Sequence, residues 1–381
     1  MIDYLINYWQ VLNQAMSKGT VSAQAIILSL AAVGNIGPVK IRAILSRIER
    51  ASDILDWDSY KFKQIPGISD EITVRIKTKL DLNYGRRLEE WADKNGINIL
   101  TLLDEDYPQS LSEIYDPPPF LFIKGNLGPS DINAVALVGS RNASEYGRMT
   151  ASKLAGELAA NGVTIVSGMA IGIDSSSHRG ALQTGGRTLA VLGSGIDVIY
   201  PRENKRLYGE ISENGAVISE FFPGTEPNSG HFPRRNRVIS GLSKAVIVVE
   251  AGQKSGALLT ADLALSQGKA LFAVPGQLSS RQSMGANDLI KTGARILTSP
   301  EDIFSVLPEL KNDYIAPDKK IVEELSEGEN LIFDFLSDSP KQIDYLVRKS
   351  GMTANGVSGF LLSLELRGLI KQLSGKRFIA V

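Results

Sequence analysis

Cysteine is absent from this sequence of 381 residues, which excludes disulfides, thiolate metal sites and a cysteine nucleophile and fits a cytoplasmic protein. Histidine is scarce. With only His178 and His231, a zinc site would have to draw on carboxylates, and no HExxH spacing occurs, so no metal is expected. An excess of one charge is also missing. Lys and Arg number 41 against 42 Asp and Glu, a net charge of −1, so any nucleic-acid binding would rest on local clusters. No apolar run approaches the roughly 18 residues of a membrane span. The first residues, with Asp3 among them, lack a basic-then-apolar leader pattern. The GxxxxGK(S/T) loop of P-loop ATPases is nowhere present, and no mobile cofactor is expected. Ser177 and His178 are adjacent and would diverge on a helix, so they make no nucleophile–base pair. From these absences no enzyme is expected.

What remains is 43% apolar and 22% charged, ordinary for a soluble globular protein, on a chain long enough for two or three domains. Apolar runs predict strands at 97–103, 120–125, 135–139, 164–167, 188–192, 216–219, 245–249, 270–274 and 295–299. Between them the pattern predicts helices at about 146–161, 174–184, 203–213, 236–241, 256–267 and 284–292, with a long polar loop over 221–235. Such alternation implies an α/β fold with a doubly wound, mostly parallel sheet.

The flanks are different. A short helix is predicted over 4–16, then two helix pairs: AIILSLAAV meets GNIG before Pro38, and IPGI interrupts KFKQIPGISDEITVRI. Apolar-glycine turns between helices fit a helix-hairpin-helix, in which backbone N–H groups approach a DNA phosphate, or equally a helical hairpin that only packs. A further helix is predicted over 83–95. Beyond Glu301 acidic residues accumulate, and NDYIAPDKK (312–320) reads as a linker. Helices at 328–336, 340–349 and 353–367 and a hairpin at 369–381 then suggest a winged helix. Its recognition helix holds two glycines and little positive charge, so DNA reading and protein docking both stay open. The predicted domains are 1–82 (helical), 83–305 (α/β core), 306–325 (linker) and 326–381 (winged helix).

The glycines and cations of the core point to an anion site, because ligands of open α/β sheets sit beyond the carboxyl ends of the strands. Gly139-Ser140-Arg141 ends one strand, offering close backbone approach, a hydroxyl and a bidentate fork. Gly168 and Gly172, four apart, follow the next, with Asp174 at a helix start where it serves as an N-cap or a site acid. Gly193-Ser194-Gly195 matches the dinucleotide fingerprint only in part, since Val198 stands where its last glycine belongs. YPRENKR and HFPRRNR place Arg202, Lys205, Arg206, Arg234, Arg235 and Arg237 in two loops of one sheet edge. Lys254 adds a cation, and Ser255-Gly256 opens a helix that could cradle an anion. Phosphate, single or polymeric, suits this chemistry.

Taken in order, VALVGSR, SGMAIGID, LGSGIDVIYP, HFPRRNR, VEAGQKSGALLTA and FAVPG resemble the DprA/Smf family of bacterial DNA-processing proteins over roughly residues 100–305. The resemblance implies an extended Rossmann-like core, a helix-hairpin-helix or SAM-like helical N-terminal domain and a C-terminal winged helix. It further implies single-stranded DNA binding without sequence preference, a homodimer formed through the core, and loading of RecA recombinase in natural transformation. By motif position it implies that Arg141 and Lys205 hold phosphates while Gly139, Ser140, Gly168 and Ser255 line the pocket. Arg235 and Arg237 would extend the track, with Phe232 and Tyr200 as candidates for base stacking. Two rival readings remain. A nucleotide-binding or nucleotide-cleaving enzyme of the same superfamily could use Asp174 or Glu250, although EAGQKSGALLTA stands where such relatives carry PGGxGTxxE. A winged-helix transcription factor with a ligand-sensing core would need a more basic recognition helix.

Overall fold

The computed structural model describes residues 21–311, 325–337, 339–366, 369–373 and 375–380. The chain divides into two compact units, Met1–Asp313 and Tyr314–Val381. The helix predicted over 4–16 and the 312–320 linker lie outside the described residues.

A nine-stranded sheet organises the first unit. Its strands are β1 (Asn98–Thr101), β2 (Phe120–Gly125), β3 (Ala134–Val138), β4 (Thr164–Ser167), β5 (Thr188–Val191), β6 (Gly215–Ser219), β7 (Ala245–Val248), β8 (Ala270–Ala273) and β9 (Arg295–Ile296). They lie in the order β1-β2-β6-β5-β4-β3-β7-β8-β9. From β6 to β9 every pairing is parallel, whereas β1 and β2 join antiparallel at one edge. The chain steps outward from β3 to β6 and then returns to the other side of β3 as β7. That reversal makes the carboxyl ends of β3 and β7 the switch point, where the crevice of an open α/β sheet takes its ligand.

The helices are α7 (Glu145–Ala160), α8 (Ile173–Gln183), α9 (Lys205–Asn214), α10 (His231–Gly241), α11 (Gly256–Ser266), α12 (Met284–Lys291) and α13 (Pro300–Phe304). Both faces of the sheet are covered, so the central strands read as unbroken apolar runs such as AVALV rather than as alternating ones. Val135, Leu137, Ile165 and Ile247 meet α7 and α8, while Ala136, Val138, Val166 and Val246 meet α10 and α11. Each such fully buried Val or Ile contributes roughly 1.5–3 kcal/mol, so a charge at any of them would break the layer.

Ahead of the sheet come α1 (Ala23–Ala32), α2 (Pro38–Leu45), α3 (Ser59–Lys63), α4 (Asp70–Lys79) and α5 (Leu82–Asn95). Ile36, Ile65 and Ile68 of the two glycine turns are buried with Ile41, Phe62 and Ile72. Two cations near these turns have intramolecular partners. Arg42 donates to the Ile114 carbonyl (2.9 Å), and Lys63 pairs with Asp70 (2.8 Å).

Three local readings are corrected. HFPRRNR is the start of helix α10, not a loop, because Pro233 lies in the first turn, where its missing N–H has no helical partner to lose. The last strand stops at Ile296, since Asp302 takes the N–H groups of Thr298 (2.7 Å) and Ser299 (3.1 Å) to cap α13. The helix expected at 340–349 begins only at Ile343, because Lys341–Gln342 pairs with the terminal hairpin. A short helix, α6 (Gln109–Ser112), was not expected.

The second unit holds α14 (Glu327–Leu336), β10 (Lys341–Gln342), α15 (Ile343–Ser350), α16 (Ala354–Leu366), β11 (Ile370–Leu373) and β12 (Arg377–Ala380). Its antiparallel sheet, in the order β10-β12-β11, and its three helices make a winged helix around Ile332, Leu346, Val357, Leu361 and Leu364. The outward residues of α16 include Asn355, Ser358, Leu362 and Glu365, with no cation among them.

Candidate nucleic-acid interface

The loops after β3 and β7 are stitched together at the crevice, where Ser140 N–H donates to the Glu250 carbonyl at 2.7 Å. Gly172, with φ of 85°, turns the β4 loop so closely against Arg141 that a Cβ there would lie 2.7 Å from the Arg141 carbonyl oxygen. The Ser140 hydroxyl accepts from Asn142 N–H (3.1 Å) within its own loop.

Arg141 is exposed, and its guanidinium lies over the Phe232 ring, 4.5 Å from the centroid. Tyr200, 45% exposed, stands beside Phe232 with ring centroids 6.1 Å apart. The stack holds a flat cation at the mouth of the crevice with one face toward solvent, which contributes about 0.5–1 kcal/mol of orientation at an exposed site. Lys205 is the first residue of α9. Its neighbour Asn204 is buried and donates to the Met169 carbonyl (2.8 Å), tying this turn to the β4 loop. Lys254 precedes Ser255, whose hydroxyl caps α11 by accepting from Ala257 N–H (3.3 Å), and no atom lies within 4 Å of a Cβ built on Gly256. Among the described residues Arg141, Arg202, Lys205 and Lys254 have no carboxylate within 4.0 Å.

The arginines of α10 differ from these. Arg235 is buried, and its Nη1 donates to the carbonyls of Gly168 (2.7 Å) and Val191 (2.5 Å), clamping β4 to β5 beneath Phe232. Burial lowers its pKa to about 10, which leaves it charged at neutral pH. Asp174 is buried nearby; burial pushes its carboxyl above the usual range, and Arg235 pulls it back. Arg237 is buried between Glu220 and Asp116 (3.1 Å to Asp116). Arg234 is half-exposed, 3.6 Å from Glu220 and over the Phe221 ring at 5.1 Å. Arg206, beside Lys205, pairs with Glu210 at 2.7 Å.

The structure thus brings Gly139, Ser140, Arg141, Gly168, Gly172 and Lys205 to one edge of the sheet, continued by Lys254, Ser255 and Gly256 after β7. Arg235 and Arg237 lie beneath that edge, and Arg234 lies at its rim. Reading the sequence missed Asn204 as an anchor and Glu250 as a cap. Glu250 accepts from Ser144 N–H (2.7 Å) and Ser144 Oγ (2.6 Å), holding the start of α7. Nothing local to Ser144 points to an acid 106 residues away. His178 packs inside, its Nδ1 2.6 Å from Thr188 Oγ1. Among the described residues no group of three or more His, Asp or Glu could hold a metal ion, and no helix is long and apolar enough to cross a membrane.

Residues 98–308 match the family of DNA recombination-mediator protein A, and residues 316–376 match the DprA winged helix domain. The chain belongs to the DprA/Smf family. Protein Smf of Synechocystis is 33% identical over 94% of this chain and 98% of its own length. DNA processing protein DprA of Streptococcus pneumoniae is 46% identical over 54% of this chain and 72% of its own. The X-ray structure of the S. pneumoniae protein superposes with a TM-score of 0.65 at 36% identity, covering 73% of this chain and 96% of that one. A Helicobacter pylori DNA processing protein A, described for a unique single-stranded DNA binding mode, superposes with a TM-score of 0.51 at 32% identity, covering 57% and 97%.

Proposed function

We propose that this chain is a single-stranded DNA-binding recombination mediator that protects incoming strands and loads RecA recombinase onto them during DNA uptake. The observation that carries the reading is the set of unpaired cations, Arg141, Arg202, Lys205 and Lys254, ranged along the carboxyl edge of the sheet around the Arg141–Phe232 stack. Several phosphates in a row fit such an edge better than the one or two of a mononucleotide, and phosphates carry no sequence information. In this reading Arg141, Lys205 and Lys254 hold backbone phosphates. Gly139, Gly168 and Gly172 let the loops beneath the strand close on Ile173, Arg235 and the Ser140–Arg141 backbone, while Ser140, Ser255 and Gly256 lie beside the strand and Arg234 borders it. Arg235 and Arg237 position α10 from beneath. Phe232 supports Arg141, which leaves Tyr200 and the outer face of the guanidinium for bases.

The single-stranded DNA binding described for the H. pylori relative supports the same reading. The protein would act in the cytoplasm as a homodimer joined through its Rossmann-like core. The rival reading, a nucleotide-cleaving enzyme, has less support, since Glu250 is engaged in capping α7 and Asp174 is buried beside Arg235.

RecA-filament assembly on single strands coated with single-strand-binding protein tests the proposal. Added protein is expected to speed assembly. Strand binding without any such stimulation would leave a binder and remove the mediator.

A further inference from the structure

Beyond the FAVPG motif, residues 277–283 of the loop from β8 to α12 belong to no motif, yet the loop borders the crevice. Gln282 Nε2 donates to the carbonyl of Asn142 (2.8 Å), the residue after Arg141. On its other side a Cβ built on Gly252, two residues before Lys254, would lie 3.2 Å from the Arg281 carbonyl oxygen. The loop is braced. At its neck the Asn287 amide takes both backbone groups of Gly276, accepting from its N–H (3.1 Å) and donating to its carbonyl (3.0 Å). Within it Ser280 N–H bonds Gln277 O (3.0 Å) and Ser283 N–H bonds Ser280 O (3.1 Å). On this braced loop Leu278 is 90% exposed. Arg281 is also exposed, with no carboxylate within 4.0 Å among the described residues.

A braced loop that shows water a bare leucine and an unpaired arginine, directly continuing a row of unpaired cations, has the chemistry of a nucleotide contact: charge for phosphate, apolar surface for a base. We propose that residues 276–283 form a second contact region for single-stranded DNA, with Arg281 on a phosphate and Leu278 against a base. The inference rests on the functional reading above and extends it. The strand would cross the edge from the turn after β5, over Arg141, to the loop after β8. These strands are β5, β4, β3, β7 and β8 in sheet order, so the path covers four inter-strand spacings, about 19 Å.

The test measures affinity for oligothymidylates of increasing length, at several salt concentrations, for the wild type, Arg281→Ala and Leu278→Ser. Both side chains are exposed, so unfolding midpoints should stay at the wild-type value. The shortest strands that bind should not distinguish the three proteins, because they cannot reach from Lys205 to the loop. Longer strands should bind the variants several-fold more weakly. Arg281→Ala should also flatten the salt dependence of log K by about 0.7, one phosphate's worth for a single strand, while Leu278→Ser leaves the slope alone. Variants that match the wild type at every length, or that weaken equally at every length, would overturn the second contact and leave the first standing. A wild type that binds no strand of any length would sink the functional reading itself, and the extension with it.

Discussion

Arg235 and Gly168 are in direct contact: Nη1 donates to the glycine carbonyl at 2.7 Å, and a Cβ on Gly168 would lie 2.5 Å from that nitrogen. Gly168→Ala must therefore displace either the β4 loop or the guanidinium that clamps it. Overpacking of this kind costs about 1–3 kcal/mol. Arg235→Met should cost more, about 1–3 kcal/mol for each of the two buried carbonyls it leaves without a donor. Denaturant midpoints check both, and unchanged midpoints would contradict the clamp.

His178 makes folding sensitive to acid. Thr188 Oγ1 donates to the Ile165 carbonyl (2.8 Å), so the imidazole Nδ1–H must be the donor to that oxygen, and Nε2 is buried without a partner. Burial, with Arg235 adding to it, drives the pKa from 6.5 to about 3. The folded state therefore holds His178 neutral while the unfolded state takes a proton below 6.5. The stability is fully present above that pH and falls by about 1.4 kcal/mol for each unit below it, down to about pH 3. Asp174 and Glu220 act in the opposite sense, since burial raises their pKa values and the fold takes up their protons first. Comparing wild type with His178→Gln isolates the histidine. Between pH 6 and 4 the variant's stability should fall less steeply, by about one proton; identical slopes would contradict the assignment.

Glu250 is expected to behave as a structural group. In Glu250→Gln one carboxylate oxygen becomes an amide that faces Ser144, whose N–H and hydroxyl both need acceptors. The loss should be about 1–3 kcal/mol of stability, read from the thermal or denaturant midpoint. A site acid free for chemistry would leave that midpoint unmoved.

Much of the architecture was legible because parallel strands buried on both faces are short, unbroken apolar runs: β4 occupies the span that TIVS predicts. The start of α10 was not, because Pro233 reads as a helix breaker unless its place in the first turn is known. Nor could sequence sort the arginines. Arg234, Arg235 and Arg237 share one short run, yet two of them are buried, and the carboxylates that hold Arg237 come from Glu220 and Asp116 on other elements. Which cations remain unpaired is a property of the folded edge, not of the motif. Arg281 shows the same limit from the other side: it stands alone among Ser and Gln, where no pattern marks it, and only the folded contacts of its loop with Asn142 and Gly252 place it beside the crevice.

The central claim is that the carboxyl edge of the sheet holds a strand of phosphates. Equilibrium binding of an unstructured single-stranded oligonucleotide, measured across salt concentrations for wild type and for Arg141→Ala with Lys205→Ala, tests it most directly. Wild-type affinity should fall linearly on a log–log plot as salt rises. The double variant should bind much more weakly, with a slope shallower by about 1.4 for two lost phosphate contacts and an unchanged unfolding midpoint. Binding indifferent to salt, or a double variant that binds as the wild type does, would contradict the account.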